Sequence, residues 1–91
     1  MRLVLIEWVD SMGCSSEWRT LEADHPHPLT CRSVGWLIHD GDDCKVIVPH
    51  VTEAPDTTSP RQGCGDMTIP ARAILSITDL PTARDHPLSH V

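Results

Sequence analysis

Four cysteines, six histidines and seven Lys or Arg residues are the side chains of this 91-residue chain on which chemistry can rest. Nucleophilic catalysis needs a thiol with a base in reach, and the pair that the sequence brings together is Cys44 with His39, set opposite each other if Gly41 and Asp42 form a bend. No orienting third group or oxyanion donor accompanies them, so the pair reads as a partly exposed cross-strand contact and no enzyme is expected. Zinc asks for about four nitrogen or sulfur ligands in tetrahedral reach. Cys14 and Cys64 lie in glycine-flanked loops, and His25 and His27 frame Pro26, so converging loops can assemble these residues. The spacing matches no finger pattern, and free thiols in a reducing compartment are the expectation, with a disulfide or this zinc set as alternatives and no cofactor. Asp40, Asp42 and Asp43 lack the ligand spacing of a calcium loop and read as a solvated turn.

A second constellation suits binding. Trp18 and Arg19 in one loop, with Arg61, Gln62 and the Gly63-Cys64-Gly65 turn in another, can line a pocket for an anionic or planar ligand. Arginine forks bind phosphate, exposed glycine amides accept anions, and tryptophan stacks on rings. The ligand-binding candidates are therefore Trp18, Arg19, Arg61, Gln62, Gly63 and Gly65. The competing reading has Trp18 plugging one end of the fold and the arginines solvated.

The formal net charge of −6, with basic residues scattered along the chain, offers no stripe for a phosphate backbone. General nucleic-acid binding is not expected, although a small anion needs only a few converging arginines. The longest apolar stretch, Leu3 to Ile6, is too short for a membrane span or a signal-peptide core, which points to a cytoplasmic protein with no membrane partner. With no Phe or Tyr, the chain must draw its large apolar area from Trp8, Trp18 and Trp36. A core this small benefits from self-association.

The elements that must position these residues follow from alternation and punctuation. Leu3 to Val9 reads as a strand with apolar residues on both faces, as in a barrel. Ser11 to Leu29 is a long excursion in which Ser16 and Glu17 suit the start of a helical turn to Ala23, ended by the prolines at 26 and 28. Cys31 to Val51 forms a hairpin about an acidic glycine turn, with Gly41 at positive φ, His39 opposite Cys44, Trp36 opposite Ile47 and Leu37 opposite Val46. Pro49 marks an edge or bulge, and Thr52 to Gly65 is a mobile loop with a tight turn at Gly63-Cys64-Gly65. Met67 to Ile69 is a short strand, Pro70 opens one 3-10 turn through Ala73, and Ile74 to Asp79 is the last strand. Residues 1–80 make one small β-domain, and residues 81–91 a poorly ordered tail.

This order of elements resembles the SH3-like and Sm-like small barrels. Gly65-Asp66-Met67-Thr68-Ile69-Pro70-Ala71-Arg72-Ala73-Ile74 looks like the G-x-x-x-P-x-x-x-V segment that closes SH3 barrels. The resemblance implies an all-β, five-stranded SH3-like barrel with a long first loop and one 3-10 turn before its last strand. Peptide-binding SH3 domains grip proline-rich ligands with tyrosines, and this chain has none, so the barrel is expected without that ligand. Glu7-Trp8-Val9-Asp10-Ser11, Ser33-Val34-Gly35-Trp36-Leu37-Ile38 and Ile69-Pro70-x-x-Ala73-Ile74 also resemble a group of small uncharacterised proteins of tailed phages and prophages. That likeness implies a viral or prophage origin and no activity. The expectation is a non-catalytic binding or interaction module that partners itself or another protein. The alternative is a small-ligand binder that sequesters a nucleotide-like anionic signal at a subunit junction.

Overall fold

A computed structural model describes residues 1–11, 16–22, 24 and 27–83. Its strands are β1 (Arg2–Asp10), β2 (Leu29–Asp40), β3 (Cys44–Val48), β4 (His50–Val51), β5 (Gly63–Cys64), β6 (Met67–Pro70) and β7 (Ile74–Asp79), with a 3-10 turn, η1 (Ala71–Ala73), between the last two. An antiparallel sheet runs in the order β6-β3-β2-β1-β7, and β4 pairs with β5 in a separate two-stranded ribbon. The all-β expectation is met.

Alternation decides which face of β1 is inside. Val4 and Ile6 are fully buried and Trp8 is half-buried beside them, whereas Leu3, Leu5, Glu7 and Val9 on the opposite face keep part of their surface in water. Val4, Ile6, Ile47 and Ile69 form the buried centre, with Trp8, Leu37, Ala73, Ile74 and Ile77 packed around it. Ile69 belongs to one edge strand and Ile77 to the other, so a shared core requires the sheet to curl until its two edges face each other. Trp8 satisfies its indole by donating to Ser33 Oγ at 3.0 Å. Gly35 lets β2 bend closely over β3, because a Cβ there would sit 3.0 Å from the Val48 carbonyl oxygen and 3.1 Å from the Ile47 Cβ.

Closure into a barrel, however, is not made by hydrogen bonds: among the described residues no ladder joins β6 to β7. The physical reason lies in Pro70 and η1. Proline ends β6 without a donor, and the following 3-10 turn carries the chain across the gap instead of along it. The turn is held at the far side by the Ala71 amide, which donates to the Asp43 carbonyl at 2.8 Å.

The hairpin register also departs from expectation. Trp36 faces Val48 and Leu37 faces Ile47; a bulge at Ile38 then shifts the pairing, so that His39 faces Val46 and Asp40 faces Lys45. Gly41 has no positive φ, which Gly65 alone shows among the described residues, at 81°. A longer connection explains this: the Gly41 amide donates to the Cys44 carbonyl at 3.1 Å, and Lys45 Nζ bonds the Gly41 carbonyl at 2.8 Å and the Asp40 carboxylate. No tight left-handed bend is then needed.

Elsewhere the excursion after β1 holds bends and a turn at Leu21 and Glu22 rather than a helical turn, among its described residues. Trp18 stands fully in solvent and plugs nothing. Gly63 and Cys64 are a strand rather than part of a tight turn, because they pair with Val51 and His50. That ribbon closes a loop at Thr52 and Gln62, whose amides bond to each other's backbone carbonyl and side-chain hydroxyl respectively, at 2.8 and 2.9 Å. Within the loop, the Asp56 carboxylate accepts from the Thr58 amide and hydroxyl, both at 2.9 Å, and from the Ser59 amide at 2.7 Å. These donors hold its pKa down at about 2. Most of the expected tail lies outside the described residues.

Candidate functional site

The outer face of the sheet carries Leu3 on β1, Trp36 opposite it on β2 and Val48 opposite Trp36 on β3. The β4–β5 ribbon stands beside this apolar row, Gly63 lying against the Val48 side chain. Between ribbon and sheet runs an open groove of about 920 Å³, walled by Leu3, Trp36, Val51, Leu80 and Pro81 and edged by Arg2, Glu53, Arg61 and Asp79. A smaller recess of about 430 Å³ adjoins it, sharing Val51 and Arg61 and adding Ile38, Val48 and Gly63.

The two arginines differ in their freedom. Arg2 Nε donates to Asp79 Oδ1 at 2.8 Å, and its Nη1 lies 3.5 Å from Asp40 Oδ2, so its charge is already shared between carboxylates. Arg61 has no ion-pair or hydrogen-bond partner for its guanidinium among the described residues. It is thus the cation available to a ligand in the groove.

The binding residues read from the sequence are placed unevenly. Arg61 and Gly63 line the grooves, Gln62 closes the loop through its backbone, and Gly65 turns the chain beside Pro49. Trp18 and Arg19 are exposed and line neither groove. The tryptophan near Arg61 is Trp36. Its signal was in the alternation of β1 and β2: Leu3 and Trp36 sit on the faces opposite Val4 and Gly35, which leaves an apolar pair outside the core. Of the loop zinc set, Cys14 and His25 lie outside the described residues, and Cys64 and His27 are exposed.

A second cluster sits at the tip of the β2–β3 hairpin. One ligating atom each from His39, Asp43 and Cys44 lies within 4.8 Å of the others. The sequence paired His39 with Cys44 by direct opposition; the structure brings them together differently, by the bulge at Ile38. Burial, followed by the charge and hydrogen bond of Asp43, pushes the half-buried Cys44 thiol above its ordinary pKa. On the other face of the hairpin, the Lys45 hydrogen bond and charge, with help from Arg2, hold the Asp40 carboxyl below its usual range.

Compared with known proteins, the chain matches no family model, no curated sequence and no solved structure. Its class is therefore set by the fold alone: a small all-β protein built on one curled, five-stranded antiparallel sheet with a two-stranded ribbon at its side. A functional reading has to come from the groove and the hairpin tip.

Proposed function

We propose that this chain is a non-catalytic binding module on an SH3-like or Sm-like rolled sheet. It takes a small anionic ligand with a planar, apolar body into the groove between the sheet and the β4–β5 ribbon. The observation that carries the reading is the Arg61 guanidinium, unpartnered among the described residues, at the rim of a groove walled by Trp36. A phosphate or carboxylate seats on the guanidinium fork, and a ring lies against the indole. Glu53 and Asp79 on the same rim repel further negative charge, which favours ligands of low charge. The strand order, in which the last strand lies beside the first and a 3-10 turn precedes it, supports the small-barrel kinship. A phage or prophage source and a place in the host cytoplasm come with the sequence resemblance alone.

Self-association is a second reading, and exposed apolar side chains favour it. Val34, Ile38 and Leu75 leave 53%, 52% and 61% of their surface in water, and Trp18, Leu21, Leu29 and Met67 are exposed as well. Thermal-shift titration with nucleoside monophosphates, joined to native mass spectrometry, separates the two. Stabilisation that Arg61→Ala abolishes supports the groove reading. No stabilisation by any of them, or stabilisation that survives Arg61→Ala, refutes it, and a monomeric mass at micromolar concentration refutes self-association.

A further inference from the structure

We propose that His39, Asp43 and Cys44 form a divalent transition-metal site at the tip of the β2–β3 hairpin, with zinc as its natural occupant and water completing the tetrahedron.

The argument begins with the bulge. Cross-strand partners in a sheet share a face, and Leu37 opposite Ile47 sets the core face of this hairpin. Continued without interruption, that register puts His39 opposite Lys45, on the core face. The extra residue Ile38 changes this. It places His39 opposite Val46, and since side chains alternate along β3, Val46 and Cys44 share the outer face. Imidazole and thiol therefore stand side by side as diagonal neighbours, where an unbroken ladder separates them.

The same bulge removes the competing cation. Asp40 now faces Lys45 on the opposite side of the hairpin, and the ammonium is engaged there by the Asp40 carboxylate and the Gly41 carbonyl. Gly41 supplies the space. A Cβ at that position would overlap His39 Nε2 and lie 3.2 Å from Asp43 Oδ1, so a side chain at residue 41 displaces the imidazole and crowds the carboxylate. The turn that carries Asp43 is clamped from outside by the Ala71 amide on its carbonyl, at 2.8 Å. Three donor types thus converge on ground that is held before any ion arrives.

The donor set selects the metal class. A thiolate, an imidazole nitrogen and a carboxylate oxygen are together the ligands of borderline cations such as zinc and cobalt, while calcium and magnesium take oxygen alone. Three protein ligands leave one tetrahedral position for water. Cys44 loses its proton to solvent on binding, with no oxidation change at metal or sulfur.

Cobalt(II) is the probe, titrated into chelator-treated full-length protein, with zinc displacing it. The expected result is one equivalent per chain, with tetrahedral visible bands and a thiolate-to-cobalt charge-transfer band that zinc abolishes. Each of His39→Ala and Cys44→Ala should weaken binding by roughly tenfold or more, since loss of an outer-shell partner alone costs about 10- to 100-fold. A Cys14→Ala, Cys31→Ala, Cys64→Ala triple variant should bind as the parent does. Gly41→Val, which keeps every ligand, should also weaken binding, and far-ultraviolet circular dichroism identifies variants that have merely unfolded. Absence of the charge-transfer band, or binding lost in the triple variant and kept in folded His39→Ala and Cys44→Ala proteins, overturns the proposal.

Discussion

At the scale of single residues, a constraint that no side-chain rotation relieves falls on Gly35. Replacing a strand glycine by alanine ordinarily favours folding by about 0.5–1 kcal/mol through backbone entropy. Here the added Cβ meets the backbone of Val48 and the Cβ of Ile47 at 3.0–3.2 Å, and neither can swing aside. Overpacking of this kind costs about 1–3 kcal/mol and outweighs the entropy. Gly35→Ala is therefore expected to lower stability in urea denaturation, and an unchanged or raised midpoint would show that β2 and β3 lie further apart. The same scale separates the tryptophans. Trp8 is hydrogen-bonded at the core margin and Trp36 walls the groove, while Trp18 is free of both. Residue type alone makes the three equivalent. Their difference comes from strand position, legible for Trp8 and Trp36 through alternation and absent for Trp18, which lies in an irregular segment without a period.

Among the elements, the β2–β3 hairpin shows how far local reading reaches. Its existence and its acidic turn follow from a run of β-formers folded about Gly41. Its register does not. The sequence permits an unbroken ladder, but Asp40 gains Lys45 as a partner only if one residue bulges out, and Ile38 is that residue. Nuclear Overhauser contacts should accordingly link the backbones of His39 and Val46, and of Trp36 and Val48. Contacts of His39 with Lys45 as a directly opposed pair would indicate an uninterrupted ladder and remove the structural basis of the metal site. The β4–β5 ribbon teaches the complementary lesson: strands this short carry no periodicity, so only their pairing reveals them. The short 3-10 turn after Pro70 was readable because proline presets its backbone.

In the whole molecule, curling brings both sheet edges to one core, and among the described residues no hydrogen-bonded seam joins them. β1 and β2 have partners on both sides, whereas among the described residues β6 and β7 are each paired along one side only. Native-state hydrogen exchange should find the slowest amides in Val4 to Trp8 and Ser33 to Leu37, with β6 and β7 opening at lower free energy. Equal protection in β6 and β7 would indicate that the seam is closed after all. What the amino-acid order determined unaided was the list of main strands and the 3-10 turn, because each depends on neighbours within a few residues. The tertiary structure decided the rest: the inward side of β1, the open seam, the bulge that sets His39 beside Cys44, and the placing of Arg61 and Trp36 along one groove. Those depend on backbone groups far apart in the chain finding partners, and no local pattern records which partner is found.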